Sequence, residues 1–271
     1  MLTLSYITWN VTPELLNIGP FSVRWYGLLF AMAFIAGFKI MQWIYSRENK
    51  PESDVEQLVI YVIIGTVIGA RLGHCLFYNP DYYLANPLEI LMVWKGGLAS
   101  HGTSIGIPIA IYLYTKKKKV GFLWQMDRVV IVTALGGSFI RLGNLFNSEI
   151  IGKAADVPWA FIFTRVDNIP RHPTQLYESL GYMIIFFVLF FIYKNNYKKL
   201  NDGFLFGLFL ILLFTFRFVV EFFKEVQEPF EKGLILDMGQ LLSIPFIILG
   251  VILIIISMKK MKTVPSEKIS K

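Results

Sequence analysis

Three arginines and one histidine interrupt stretches of the sequence that are otherwise apolar: Arg71, Arg141, Arg217 and His101. A guanidinium group is planar and permanently charged, and it binds carboxylate or phosphate groups through paired hydrogen bonds. An imidazole has an ordinary pKa close to neutral pH and can accept a proton from a reacting group. Together these side chains could bind an anionic group and remove a proton beside it.

The spacing of neighbouring polar residues supports a binding site. Arg217 and Glu221 are four residues apart, so in a helix they share a face, and we expect them to pair and fix the guanidinium. Arg141 and Asn144 are three residues apart and also share a face, with Glu149 following as the helix ends. The pattern predicts that two separate helices each present an arginine with a polar companion.

The composition indicates that these residues belong to a membrane protein. Of 271 residues 55% are hydrophobic and only 17% are charged, whereas a typical soluble domain has about 25% charged residues. This leaves too little polar material to cover a water-soluble globule. A disulfide scaffold is excluded because Cys75 is the only cysteine.

Seven stretches are long and apolar enough to cross a bilayer, which takes roughly 20 residues. They are residues 21–45, 56–78, 98–115, 124–147, 173–193, 203–225 and 236–257. The third is shorter and richer in glycine and serine. We therefore predict an all-α membrane protein with seven transmembrane helices.

Lysine and arginine residues between the stretches predict the orientation. One set of alternate segments holds 14 of them, including the run 116–119, and the other set holds five. The positive-inside rule assigns the richer set to the cytoplasm, so the N-terminus is expected outside and the C-terminus in the cytoplasm. The net charge of +7 then reflects topology, and no nucleic-acid partner is expected.

Two further segments are expected to lie outside the bilayer. Residues 1–20 lack the pattern of a cleaved signal peptide and should form an ordered flank on the surface. Residues 148–172 are too long for a tight connection and should form a small extracytoplasmic cap. The whole chain, 1–271, is interpreted as one polytopic membrane domain with this cap inserted between spans four and five.

The polar residues of the spans converge at one depth. With the predicted orientation, the outer halves of six spans hold Tyr26, Arg71, His101, Arg141, Glu178 and Arg217. Three arginines in a bilayer cost on the order of 8–10 kcal/mol on insertion scales. We therefore expect them to face one polar cavity in the outer leaflet. The alternative is a set of ion pairs that only hold helices together, but an Arg217–Glu221 pair would leave Arg71, Arg141 and His101 short of acidic partners.

Glycines recur every four residues in the second span, at Gly65, Gly69 and Gly73. Small residues at this spacing allow two membrane helices to approach closely. The pattern predicts a close helix contact along this face.

Several segments resemble the prolipoprotein diacylglyceryl transferases of bacteria. The signature of that family is similar to IRLGNLFNSE at 140–149, although the family usually has Gly at the positions of Ile140 and Ser148. Further similar segments are RWYG at 24–27, GARLG at 69–73, GLASHG at 97–102, RHPTQLYE at 171–178 and RFVVEF at 217–222. They follow the family's order over nearly the whole chain.

The resemblance implies an activity: transfer of a diacylglyceryl group from phosphatidylglycerol to the lipobox cysteine of a preprolipoprotein, with release of glycerol phosphate. The implied partners are phosphatidylglycerol, the preprolipoprotein signal peptide and the membrane. The implied location is the bacterial cytoplasmic membrane, with the active site toward the outer leaflet. No cofactor and no metal are implied, and the three histidines lack metal-ligand spacing.

The resemblance also implies roles for individual residues. Arg141 with Asn144 would bind the phosphatidylglycerol headgroup, and Arg217, oriented by Glu221, would stabilise the departing phosphate. His101 is the candidate base for the thiol.

Four further residues complete the expected site. Tyr26, Glu149 and Gly152 match positions of the family motif and would shape it. Two roles remain equally open for Arg71: contact with the ligand and support of the structure.

Two other classes of function remain as alternatives. A secondary transporter of an anionic substrate would also need intramembrane arginines, but its site usually lies at the bilayer midplane between repeated halves. A lipid-binding scaffold without chemistry would not need His101.

Overall fold

A computed structural model describes residues 6–19, 21–97, 99–225 and 236–262. Its helices agree with the seven predicted stretches to within a few residues at each end, and a short helix, α3, adds to them. The helices are α1 Trp25–Arg47, α2 Ser53–Phe77, α3 Pro80–Ala85, α4 Ser100–Lys118, α5 Phe122–Asn147, α6 Thr174–Asn196, α7 Phe204–Glu221 and α8 Met238–Lys262.

Six of these helices are long and apolar enough to cross a membrane, namely α1, α2, α5, α6, α7 and α8. Helix α4 has 19 residues but carries glycines, serines and three terminal lysines, so its composition alone does not qualify it. The prediction of a mostly helical membrane protein is confirmed. The seventh span stays a prediction.

Large apolar side chains on the outside of the helices support this assignment. On α2, Ile60, Ile64 and Ile68 are each about half exposed, and on α8 Ile252 and Ile255 are similarly exposed. Extended apolar surfaces of this kind are rare on soluble monomers. Such faces are suited to contact with the hydrocarbon core of a bilayer.

The chain divides into two compact units, residues 1–37 with 127–271 (the larger unit) and residues 38–126 (the smaller unit). In the larger unit α7 packs along α8 and also against α6. Asp127 fixes the start of α7, because its carboxylate accepts hydrogen bonds from the backbone N–H groups of Gly203 (2.8 Å) and Phe206 (2.7 Å). A carboxylate at this end of a helix satisfies unpaired donors and complements the helix dipole.

The larger unit also contains the strands. They are β1 Ile7–Trp9, β2 Glu14–Ile18, β3 Phe21–Arg24, β4 Phe161–Phe163 and β5 Pro170–Arg171. β1 pairs in parallel with β4, β4 pairs antiparallel with β5, and β2 and β3 form a separate hairpin. The 148–172 segment is thus ordered and takes one strand of its sheet from the N-terminal flank.

The smaller unit is organised by the contact of α2 with α4. A Cβ atom on Gly65 would lie 2.7 Å from the carbonyl oxygen of Gly106, and one on Gly69 would lie 2.5 Å from that of Gly102. Only glycine allows the two backbones to lie this close. The predicted close contact along the glycine face of the second span is confirmed.

Candidate active site

Arg141 is anchored by a buried carboxylate of the neighbouring helix. It lies six residues before the end of α5, and its Nε is 3.0 Å from Oε2 of Glu178 on α6. The Glu178 side chain is fully buried, whereas that of Arg141 is 15% exposed. The guanidinium is therefore held from one side and reachable from another.

Lys224 is the second partner of Glu178. Its Nζ lies 3.1 Å from Oε1 of Glu178 and 3.2 Å from Oε2 of Glu221, and its side chain is only 4% exposed. Arg141, Glu178, Lys224 and Glu221 thus form a continuous series of alternating charges, which we call the charge chain. The Glu221 carboxylate also lies against Gly239 in the first turn of α8, where the helix dipole favours negative charge.

Two expectations about charge pairing are wrong. Arg141 is not short of an acidic partner, because Glu178 supplies one. Glu221 pairs with Lys224 rather than with Arg217, because the chain turns back after α7 and brings Lys224 to the carboxylate. A spacing of four residues makes a pair geometrically available, but a better placed competitor takes it.

Arg217 is partly buried and, among the residues that the structure describes, no carboxylate lies within ion-pair distance of it. Its guanidinium interacts electrostatically with the buried phenol of Tyr182, as does that of Arg141. Tyr182 lies on α6 and its hydroxyl donates to Glu178 at 3.3 Å. The two arginines from α5 and α7 are therefore both near one tyrosine of α6.

A polar series continues from Arg141 to the end of α5. Its Nη1 donates to Oδ1 of Asn144 at 3.4 Å, and Asn144 donates to Oε2 of Glu149 at 3.1 Å. Asn147 donates to the other oxygen of Glu149 at 3.0 Å. The structure thus brings Arg141, Asn144 and Glu149 together in one hydrogen-bonded series.

The turn that carries Glu149 is strained. Ser148 and Ile150, on either side of Glu149, both have φ of 55°, a left-handed conformation that favours glycine and is costly for a β-branched residue. Gln175 and Thr174 of α6 hold this turn by donating to the carbonyl oxygens of Glu149 (2.5 Å) and Ile150 (2.9 Å). Strain that the surroundings maintain in this way is common at functional sites.

Tyr26 joins the same group through a glycine. A Cβ atom on Gly143 would lie 2.7 Å from Cδ2 of the Tyr26 ring, so the ring packs directly against the helix backbone one residue before Asn144. Its phenol interacts electrostatically with Glu149 and Arg141. The structure therefore brings Tyr26 to the predicted residues of α5.

Gly152 is enclosed by backbone. It donates to the carbonyl oxygen of His172 at 3.0 Å, and a Cβ atom there would lie 2.8 Å from the carbonyl oxygen of Phe223. Lys153 donates to the same Phe223 oxygen at 2.8 Å. Gly152 thus ties the 148–172 segment to the turn that carries Lys224.

Arg71 and His101 belong to the smaller unit. The guanidinium of Arg71 donates to four backbone carbonyl oxygens of residues 89–97 and lies over the ring of Tyr83, 5.0 Å from its centroid. His101 is the second residue of α4, and its side chain lies outside the described residues. The structure therefore shows the expected convergence of polar residues only for those that lie in the larger unit.

Two charged residues of the site were not among the candidates. The sequence predicts Glu178 only as a polar residue of a span, without a role, and does not predict Lys224. A signal for Glu178 exists, since a carboxylate near the start of a membrane helix requires a cation. Lys224 follows α7 closely, and nothing in its sequence position indicates that it turns inward.

The fold and the site define a class: a multi-pass membrane protein with a buried cluster of arginine, lysine and glutamate side chains. The described residues contain no group of three His, Cys, Asp or Glu side chains that could hold a metal. The sequence profile of the prolipoprotein diacylglyceryl transferase family matches residues 13–256.

Individual relatives agree with the profile. The phosphatidylglycerol–prolipoprotein diacylglyceryl transferase of Tolumonas auensis is 49% identical over 253 residues, covering 93% of this chain and 98% of the relative. That of Chloroherpeton thalassium is 50% identical over 262 residues, covering 96% and 97%. That of Bacteroides fragilis is 48% identical over 257 residues, covering 90% and 93%. This chain belongs to the prolipoprotein diacylglyceryl transferase family.

Proposed function

We propose that this chain transfers the diacylglyceryl group of phosphatidylglycerol to the cysteine thiol of a prolipoprotein and releases glycerol phosphate. Its relatives carry these two substrates in their names. The observation that carries the proposal is Arg217, a partly buried membrane cation that has no carboxylate partner within the described residues. Such a cation is costly unless an anion joins it, and the lipid phosphodiester is that anion.

Arg141 and Asn144 bind the phosphodiester in this proposal. Asn144, Glu178 and Tyr182 engage only part of the five N–H donors of Arg141. Its contact with Glu178 is an ion pair without a well-directed hydrogen bond, because Oε2 of Glu178 accepts none. Donors remain for a phosphate oxygen, and the charge chain holds the guanidinium while they bind.

The chemical step is a displacement at a glycerol carbon. The thiol loses its proton to a base, the sulfur forms a bond to the terminal glycerol carbon of the diacylglyceryl group, and the bond from that carbon to the phosphate oxygen breaks. Negative charge moves from sulfur to the departing glycerol phosphate. Arg217 stabilises this charge, and a preorganised cation in a site of low dielectric constant is effective in that role.

His101 is the proposed base, because a neutral imidazole accepts a proton near neutral pH. Tyr26, Glu149 and Gly152 shape the site around Arg141 and Asn144. Glu221 acts through Lys224 rather than through Arg217, and it helps to neutralise the charge chain.

The proposed topology has seven spans, with α4 as the third, in the bacterial cytoplasmic membrane. The N-terminus lies outside, the C-terminus lies in the cytoplasm, and the site opens toward the outer leaflet. The distribution of lysine and arginine between alternate segments supports this orientation. The proposed domain organisation is one membrane domain with residues 148–172 as an extracytoplasmic cap.

Reconstitution tests the reaction. The protein in vesicles that contain phosphatidylglycerol should add one diacylglyceryl unit to a lipobox peptide, as read by mass spectrometry. A peptide with serine in place of the cysteine and vesicles of phosphatidylcholine alone are the matched controls, and neither should yield product. Absence of a mass shift with the complete mixture would contradict the proposal, and release of trapped glycerol phosphate across the bilayer without transfer would favour a transporter.

A further inference from the structure

Arg71 is buried in the smaller unit and almost saturated by backbone. Its residue is 3% exposed. Nε donates to the carbonyl oxygen of Ile90 at 2.9 Å, Nη2 to that of Glu89 at 2.5 Å, and Nη1 to those of Gly96 at 2.5 Å and Gly97 at 3.2 Å. These four hydrogen bonds occupy most of the five N–H donors of the guanidinium, so few donors remain to bind a phosphate. The side chain therefore binds the polypeptide rather than a lipid headgroup.

The bound segment follows a path that few sequences allow. Gly96 and Gly97 have φ of 83° and 70°, which side-chain-bearing residues rarely adopt. A Cβ atom on Gly97 would lie 2.6 Å from the imidazole of His74 and 2.9 Å from Nη1 of Arg71. The backbone thus passes directly against the guanidinium, and Arg71 fixes where residues 96–97 run.

The start of α4 is fixed to α2 on both sides of His101. Before it, the N–H of Ala99 donates to the carbonyl oxygen of Ala70 at 2.9 Å, one residue from Arg71. After it, Gly102 lies against the backbone of α2, and a Cβ atom there would be 2.9 Å from Cα of Gly73. The backbone of His101 is therefore held between two contacts with α2, and the carbonyl groups of Gly96 and Gly97 that Arg71 binds lie shortly before the first of them.

We propose that Arg71 is a positioning residue for His101. By donating hydrogen bonds to four carbonyl groups of the 89–97 segment, it sets the position at which α4 begins and therefore the backbone position of His101, the proposed base. This inference rests on the proposed function. Arg71 affects the chemical step through His101, and it has no effect on the affinity for phosphatidylglycerol.

Two variants separate this role from headgroup binding. Lysine keeps the charge but has one nitrogen, which cannot span four carbonyl groups, so Arg71→Lys should lose activity nearly as fully as Arg71→Gln. We expect kcat to fall at least tenfold in both variants, with KM for phosphatidylglycerol within twofold of the wild type. Arg165→Lys and Arg165→Gln, at an exposed position of the 148–172 segment, are the matched controls and should behave as the wild type.

Hydrogen exchange of the full-length protein in lipid nanodiscs gives a readout that does not depend on activity. The amides of Ala99 and Gly102 should exchange at least tenfold faster in Arg71→Lys, while the amides of α6 and α7 keep their wild-type rates. Localised loosening with a loss confined to kcat supports the proposal, because general unfolding would raise exchange in every helix.

Three outcomes would overturn the inference. They are wild-type kcat in Arg71→Lys, a rise in KM with kcat preserved, and faster exchange spread over all helices. Absence of transfer by the wild-type protein would overturn the proposed function and the inference together. Normal transfer by the wild type and by Arg71→Lys would overturn the inference alone.

Discussion

The two compact units bury arginine in opposite ways. In the larger unit, Arg141 is held by side chains, namely Glu178 and Asn144, and it keeps part of its surface exposed. In the smaller unit, Arg71 is held by backbone carbonyl groups and is almost inaccessible. The first arrangement leaves donors for an anion and the second uses nearly all of them. Under the proposed function, arginine therefore binds the substrate in the larger unit, whereas in the smaller unit it holds the backbone in place.

The units also use glycine differently. On α5, Gly143 makes room for the ring of Tyr26, whereas on α2, Gly69 makes room for the backbone of α4. A side chain can rotate away from an added methyl group, but a helix backbone cannot. Replacing glycine with alanine should therefore lower mainly activity at Gly143 in the larger unit and mainly stability at Gly69 in the smaller unit.

The largest effect is expected from Arg141→Ala. The change removes the side chain that is proposed to bind the phosphate. Among the described residues it leaves Lys224 as the one cation paired with the buried carboxylate of Glu178, and a broken buried pair typically costs about 3–5 kcal/mol. Transfer, measured by the mass of the peptide product, should fall at least about 10³-fold, with protein still found in the membrane fraction. Transfer at the wild-type rate would remove Arg141 from the mechanism.

Arg217→Gln should separate activity from stability. Loss of charge stabilisation on the departing phosphate should lower kcat about 10²-fold or more. The thermal unfolding midpoint in detergent should stay the same or rise, because no carboxylate of the described residues loses a partner. Arg217→Lys serves as the control and should recover part of the rate. A fall in the midpoint as large as that of Arg141→Ala would instead indicate a structural ion pair.

Three glycine substitutions sharpen the second contrast. Gly69→Ala should destabilise the protein by about 1–3 kcal/mol because the added methyl group meets the Gly102 carbonyl. Gly143→Ala should displace Tyr26 and lower kcat/KM about tenfold, with a smaller loss of stability. Gly136→Ala, which meets no atom within 4 Å, is the control on α5 and should leave both unchanged. Equal losses of stability at Gly69 and Gly143 would contradict the contrast.

The smallest effect concerns a histidine outside the spans. Burial lowers the pKa of His172 below its ordinary value of 6.5, and Tyr177 and Phe223 lie beside it. Between pH 7 and 5.5 the unfolded chain binds more protons here than the folded protein, so stability should fall slightly as the pH falls. The unfolding midpoint of His172→Gln should vary less with pH than that of the wild type. An unchanged pH dependence would mean that other groups are responsible.

The positions of the helices could be predicted from the sequence because apolar runs of bilayer length are a local property. A close helix contact along one face of α2 could be predicted too, since glycines at a spacing of four occupy one helix face. That α4 is the partner comes from the structure. The pairing of charges could not. Arg217 and Glu221 satisfy the local rule, yet Lys224 takes the carboxylate because a turn that no local pattern indicates brings it inward.

The site shows the same division. The series from Arg141 through Asn144 to Glu149 lies within nine residues. The proximity of Arg141 and Asn144 follows from helix geometry, whereas Glu149 reaches Asn144 from a turn that α6 holds. The partner of Arg141, by contrast, lies 37 residues further along the chain, on another helix. The carbonyl groups that hold Arg71 belong to a segment of two short 3-10 helices and the glycines that follow them, and no pattern in the sequence predicts the path of this segment.

The sequence by itself determined that the chain is a mostly helical membrane protein, where its helices lie, and to which family its motifs belong. Composition and short-range spacing carry that information. Only the tertiary structure decided which charges meet, and so which arginine keeps donors for a ligand and which is consumed by backbone. Ion pairs and carbonyl contacts form between whichever groups the packing of distant segments brings within about 3 Å, and that distance is a property of the fold as a whole.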